Sequence, residues 1–223
     1  MICEMKSIII IGGGIIGLAI ARQLGLKGYK DITILEKESS IVEHQSSRNS
    51  GVMHAGLYYK PGSLKQRLSR EGIKLMKDYC TKNKIRWEEC GKIVISNNQE
   101  EDKNLNELFE IGNKNQLKNL EKISKKEISK LEPYVHAYKA IRVPEESIVN
   151  YKDVAKCFLK EILSFGGSIK YNSQVIKVDN NKNQLKKITL SSGEYLEANI
   201  IIFILGNKKR GLSFLMSYFF FKP

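Results

Sequence analysis

The stretch KSIIIIGGGIIGLAIARQL, Lys6 to Leu24, decides how this chain begins to fold. Lys6 to Ile11 is a continuous apolar run, the pattern of a central parallel strand covered on both faces. Three glycines stop it. From Ile15 to Lys27 the spacing becomes helical, with Ile16, Ala19, Ile20 and Leu24 on one side and Gly28 as the stop. Ile32 to Glu36 reads as a second short strand. Together they make a β-α-β unit of about 30 residues, the size expected of one.

Gly12-x-Gly14-x-x-Gly17 has the spacing of a dinucleotide-binding turn. The first glycine permits the tight turn, the second lets backbone approach a pyrophosphate, and the third lets helix and strand pack closely. The helix that follows aims its N-terminal N–H groups and positive dipole end at the phosphates. Glu36, at the end of the second strand, stands where a carboxylate accepts from ribose hydroxyls and would repel a 2′-phosphate. FAD or NAD is therefore expected over NADP.

The next segment separates those two. A plain NAD domain continues from its second strand into a helix. Here the strand leads into SSRNSGVMHAGLYY, Ser46 to Tyr59. Ser46, Ser47 and Asn49 offer hydroxyl and amide groups, Arg48 offers a charge for a pyrophosphate, and Gly51 and Gly56 let backbone lie against a flat ring. That favours FAD; an Ω-loop without a ligand is the alternative on composition alone.

Beyond the loop, Ser63 caps an expected helix over Leu64 to Lys84. Strands are expected at Arg86 to Glu88, Lys92 to Ser96 and Ala140 to Val143, and surface helices at Gln99 to Asn115 and Ser124 to Leu131, the second ended by Pro133. Tyr151 to Ser164 is again helical and closes at Gly166 and Gly167. Ile169 to Tyr171, Val175 to Val178, Leu185 to Leu190 and Tyr195 to Leu196 alternate as strands, with NNKN (180–183) and SSGE as turns. Ile200 to Leu205 reads as a second buried strand. The expected architecture is α/β: a Rossmann-like, FAD-binding domain formed by residues 1–84 and 151–206, with an inserted α+β substrate lobe, residues 85–150.

The 223 residues, 42% hydrophobic and 27% charged, suit a globular protein with a real core. The net charge of +13 comes from 37 basic and 24 acidic residues; the excess is spread lysine, which reads as a solvated surface and not as a nucleic-acid interface. Cys3, Cys80, Cys90 and Cys157 lack metal or disulfide spacing, so free thiols in a reducing compartment and no metal are expected. No leader peptide is recognised and no run reaches the about 18 to 20 apolar residues of a membrane span. A cytoplasmic protein is the expectation, with Leu212 to Phe221 leaving room for peripheral contact with a membrane.

The segments IIIIGGGIIGLAIARQL, LEKE, HQSSRNSGVMHAGLYYKPGSLK, CGKIVIS, LEPYV and VPEESIVNYKDVA, in this order from Lys6 to Gly206, resemble FAD-dependent oxidoreductases of the D-amino-acid-oxidase-like superfamily, and most of all its L-2-hydroxyglutarate oxidases and dehydrogenases. The resemblance implies that Gly12, Gly14 and Gly17 hold the FAD pyrophosphate and Glu36 the adenosine ribose. It implies that Ser47, Arg48, Asn49 and Ser50 line the flavin end of the pyrophosphate, that Gly51, Val52 and His54 sit near the isoalloxazine, and that the Val175 backbone meets the adenine side. The implied reaction oxidises a 2-hydroxy acid to a 2-oxo acid, the α-hydrogen leaving as hydride to flavin N5. A base must take the hydroxyl proton, and histidine suits that role. Of His44, His54 and His136, His54 lies in the block expected beside the flavin; contact with the flavin without catalysis is its alternative. Tyr58, Tyr59, Lys60 and Lys65 could bind a dicarboxylate, with Arg142 and Tyr151 as further candidates. The electron acceptor, oxygen or a quinone or other carrier, is left open.

Three departures stand out. Arg48 replaces a frequent histidine, and Ser147 replaces a turn glycine. The last strand ends IFILGNKK, with Leu205 at a position the family fills with a small residue. After Gly206 the resemblance stops, and residues 207–223 read as an unrelated tail closing a truncated copy. Two alternatives therefore accompany the hydroxyglutarate reading: another oxidoreductase of the superfamily, of the glycerol-3-phosphate or amino-acid oxidase type, or a non-catalytic remnant.

Overall fold

The structure, a computed structural model, describes residues 6–179 and 185–206. Cys3, the NNKN turn and the tail from Asn207 lie outside the described residues. The chain opens with β1 (Ile8–Ile11), α1 (Ile15–Leu26), β2 (Ile32–Leu35) and β3 (Val52–Met53), followed by α2 (Leu64–Lys82). The middle contains β4 (Trp87–Glu88), β5 (Lys92–Ser96), α3 (Gln99–Lys114), β6 (Glu121–Ser124), α4 (Lys125–Leu131), β7 (Lys139–Val143) and β8 (Ser147–Val149). Last come α5 (Tyr151–Ser164), β9 (Ser168–Lys170), β10 (Val175–Asp179), β11 (Lys186–Leu190), β12 (Tyr195–Ala198) and β13 (Ile200–Phe203).

Two compact units result, one formed by residues up to Arg48 and from Tyr151 onward, the other by Asn49 to Asn150. The sequence places the first boundary at 84/85 instead. α2 belongs with the middle of the chain because its side chains are committed there: the Ser69 hydroxyl donates to the His54 carbonyl, Arg70 pairs with Glu145, and Lys77 pairs with Glu89.

The first unit is α/β. Its sheet has the order β13-β1-β2-β9, all neighbours parallel, with Ile8 beside Ile32 and Ile200. All four residues of β1 are buried, as an uninterrupted apolar run requires. α1 and α5 pack together, tied by Arg22 Nε to Glu161 Oε2 at 2.9 Å and by Arg22 over the Phe158 ring. The antiparallel sheet β10-β11-β12 shares a core with the first, through Ile9, Ile11, Leu35, Val175, Val178, Ile188 and Leu190.

Two expectations need correction. The buried face of α1 is Gly17, Leu18 and Ala21, and Ile16 is 61% exposed. The close approach at Gly17 turns the helix, and a glycine leaves no mark in an apolar pattern. β13 is half-buried, not buried: it is the edge of its sheet, with Ile201 and Phe203 packed on the core and Ile200 exposed.

The second unit is α+β, with antiparallel sheets β3-β8-β4 and β5-β7-β6. Ser63 caps α2 by accepting from the Gln66 N–H at 3.2 Å, and Ser124 with Glu127 forms a capping box on α4. β3, β6 and β8 are not anticipated by the sequence pattern. Among the described residues, no helix is long and apolar enough to cross a membrane.

Because Leu18 is fully buried against the sheet, Leu18→Ala should destabilise the protein by about 2 to 5 kcal/mol in chemical denaturation. Ile16→Ala, on the solvent face, should stay within about 0.5 kcal/mol of the parent. Equal losses would mean that α1 is rotated from the position described.

Candidate functional site

The turn between β1 and α1 is closed to side chains. Gly12 has φ +118°, donates its N–H to the Leu35 carbonyl at 2.9 Å, and would place a Cβ 2.2 Å from the Ile204 oxygen. A Cβ on Gly17 would lie 2.0 Å from the Gly12 oxygen. Gly14 is the N-cap of α1, in extended conformation and without a side-chain cap, and no acidic residue occupies the first turn. Neither the turn nor the helix itself supplies a side-chain cap or a carboxylate at this end, which suits it to an anion.

Glu36 is 8% exposed. Its Oε2 accepts the Gly13 N–H at 2.7 Å and its Oε1 the Glu38 N–H at 3.0 Å. A carboxylate has about four acceptor sites, so two remain for ribose hydroxyls. A Cβ on Gly13 would stand 2.9 Å from Glu36 Oε2, so a side chain there would displace the carboxylate from its bond to the Gly13 N–H. The sequence reading passes over it because the dinucleotide fingerprint treats that position as variable.

The loop after β2 folds back on the turn. Ser46 Oγ accepts the Ile15 N–H at 3.1 Å, capping α1 from outside, and Val42 donates its N–H to the Gly13 carbonyl. Val42 has φ +55°, a conformation costly for a β-branched residue, and it is buried. Ser47 bonds to the His44 carbonyl through both its N–H and its hydroxyl; Arg48 is exposed and donates its N–H to the same oxygen. His44 Nε2 lies 2.7 Å from Glu38 Oε1, beside Lys37. The Lys37 ammonium, and then His44, hold the Glu38 carboxyl down at about 2 against an ordinary 4.5. Val175 opens β10 in the shared core.

In the second unit, Asn49 Oδ1 accepts the Gly51 N–H, Ser50 is exposed, and Val52 pairs with Ile148. The His54 ring is about half exposed, with Nδ1 3.2 Å from Glu146 Oε2. Glu146 is only 1% exposed, and its Oε1 accepts from Lys92 Nζ at 3.0 Å and from the Ala55 N–H at 3.1 Å. Lys92 Nζ also lies 4.8 Å from the centroid of the Tyr58 ring. His54, Tyr58, Lys92 and Glu146 thus form one cluster. The sequence alone gives no sign of Glu146 or Lys92, which stand 92 and 38 positions beyond His54 in the chain.

The other candidates stand apart from that cluster. Tyr59 gives its carbonyl to Asn115 Nδ2, and Lys60 and Lys65 are exposed. Arg142 pairs with Glu121 at 2.8 Å and lines an open cavity of about 450 Å³ with Asn119, Leu120 and Pro144. None of the Arg142 hydrogen bonds among the described residues reaches His54 or Tyr58. His136 is exposed.

Residues 7–206 match the FAD dependent oxidoreductase family. The chain belongs to that family. FAD is the family's cofactor, and the side-chain-free turn, the open end of α1 and the buried Glu36 fit its dinucleotide half. Curated relatives include the mitochondrial L-2-hydroxyglutarate dehydrogenase of Dictyostelium discoideum, 42% identical over 79% of this chain and 40% of that protein. The L-2-hydroxyglutarate dehydrogenase of Escherichia coli is 39% identical over 89% and 47%. The chain thus spans less than half the length of these relatives. Among solved structures, the FAD-bound L-α-glycerophosphate oxidase of Mycoplasma pneumoniae matches with a TM-score of 0.76 at 25% identity, over 89% of this chain and 52% of that one. Glycine oxidase of Geobacillus kaustophilus matches with 0.80 at 20% identity, over 90% and 55%, and speaks to the fold alone.

Two measurements check the electrostatics. Lys92→Met leaves the Glu146 carboxylate buried without its cation and should cost on the order of 3 kcal/mol in urea denaturation, whereas Lys156→Met, in an exposed pair with Asp153, should cost under about 1 kcal/mol. The folded-state pKa of Glu38 lies below its unfolded value. Its stabilising contribution is therefore complete above about pH 4.5 and is lost as the pH falls toward 2. The stability gap between the parent and Glu38→Gln should be narrower at pH 3 than at pH 5; an equal gap at the two pH values would contradict this.

Proposed function

We propose that the chain forms the FAD-binding part, and some of the substrate lobe, of an oxidoreductase that converts L-2-hydroxyglutarate to 2-oxoglutarate. The carrying observation is the 42% identity, over 79% of this chain, with a relative named for that activity. In this reading residues up to Arg48 and 151–206 serve the dinucleotide half of the cofactor, and the unit from Asn49 to Asn150 serves its flavin end and the substrate. Gly12, Gly14 and Gly17 admit the pyrophosphate to the N-terminus of α1, where backbone N–H groups and the helix dipole bind it. Glu36 accepts from the adenosine ribose. Ser47, Arg48, Asn49, Ser50, Gly51, Val52 and Val175 complete the proposed cofactor contacts.

Bound FAD would supply the acceptor for the hydride that leaves the substrate α-carbon. His54 takes the hydroxyl proton, so the alcohol loses one hydride and one proton and the ketone remains. General-base assistance of this kind contributes about 10²- to 10⁴-fold. Tyr58, Tyr59, Lys60 and, more weakly, Arg142, which pairs with Glu121, are the proposed donors for the substrate carboxylates.

The test is a visible spectrum. The purified chain, loaded with FAD, should be yellow and should bleach without air on adding L-2-hydroxyglutarate, and not on adding glycerol 3-phosphate or glycine. Bleaching by either of those instead would move the reading to another enzyme of the family. A chain that takes up no FAD would make it a non-catalytic remnant.

A further inference from the structure

Glu146 stands in the turn between β7 and β8 and is more enclosed than any other carboxylate in the buried core. Enclosing a carboxylate is costly unless each oxygen is compensated. Oε1 is compensated by the Lys92 ammonium and the Ala55 N–H. Oε2 faces Nδ1 of His54. A carboxylate with its oxygens so used only accepts, so the ring must carry its proton on Nδ1. Nε2, on the opposite edge of a half-exposed ring, then holds the lone pair, and it makes no hydrogen bond among the described residues.

Resting on the reading of His54 as the base, we infer that Glu146 is its positioning residue: it fixes the Nδ1–H tautomer and directs the basic nitrogen away from the protein interior. Proton uptake at Nε2 gives an imidazolium that keeps its Nδ1–H bond to Glu146. The carboxylate stabilises that cation, while Lys92, 3.0 Å from the other oxygen, opposes it. Other groups around the ring are accounted for. The Tyr58 ring lies against Lys92, the Ser69 hydroxyl of α2 anchors the His54 carbonyl at 2.8 Å, and Arg70 of α2 is taken by Glu145. Second-layer carboxylates that orient an imidazole in this way change the chemistry without touching the reactant.

The test is nitrogen-15 NMR of the histidine rings in the full chain, with His44 and His136 as internal controls. In the parent, neutral His54 should give the Nδ1–H pattern. Glu146→Gln, which keeps an accepting oxygen and removes the charge, should keep that tautomer. The double variant Glu146→Leu/Lys92→Met removes both buried charges together and should lose the tautomer preference, with His44 and His136 unmoved. A parent His54 in the Nε2–H form overturns the inference, as does an unchanged Nδ1–H preference in the folded double variant. If neither variant folds, the parent spectrum decides alone. No flavin or substrate enters the measurement, so a failed bleaching experiment and a failed tautomer assignment remain distinct results.

Discussion

Two carbonyl oxygens determine what the first unit can be. The Ile204 oxygen occupies the space beside Gly12, and the Gly12 oxygen occupies the space beside Gly17, each close enough to exclude any side chain. The first contact lets β13 run alongside β1 to its end; the second seats α1 on the sheet, so that Leu18 and Ala21 fill the interface. Both are steric constraints with no tolerance, because neither neighbour is the movable end of a side chain. Any larger residue at either place must separate helix from strand, and the helix N-terminus would then no longer point where the turn directs it.

That turn is also held by charge. Glu36 receives the Gly13 and Glu38 N–H groups, Val42 accepts a strained backbone conformation to bond Gly13, and Ser46 caps α1 from across the loop. The shape is therefore tied down by the protein's own hydrogen bonds. Pre-ordering of this kind reduces the conformational cost of binding. It also explains why a carboxylate is tolerated beside a helix end suited to phosphates: its charge is spent on backbone donors.

The parts legible in the sequence were those whose signals are local. Strand β1, the helix after it, Glu36, the Ser63 cap and α5 each follow from residues within one turn or strand. Misses arose where the deciding partner is remote. β6 and β8 are short and exist only because β7 and β3 pair with them. The face of α1 is not legible in the apolar pattern because its central contact is a glycine, Gly17. Glu146 and Lys92 look like two ordinary charges in a lysine-rich chain, and only the fold brings them to His54.

Their meeting separates two kinds of charge in this protein. Most basic residues with described partners pair at the surface, as Lys156 does with Asp153 and Lys177 with Asp179, where water screens the attraction and little stability is gained. The Lys92–Glu146 pair obeys a different balance, since an enclosed carboxylate loses its hydration and must recover it from fixed donors. Glu146 recovers it from three: an ammonium, a backbone N–H and an imidazole N–H. Only the third donor can change its protonation pattern near neutral pH. A site of fixed shape in one unit and an adjustable proton site in the other are thus both written in hydrogen bonds made by backbone and buried carboxylate.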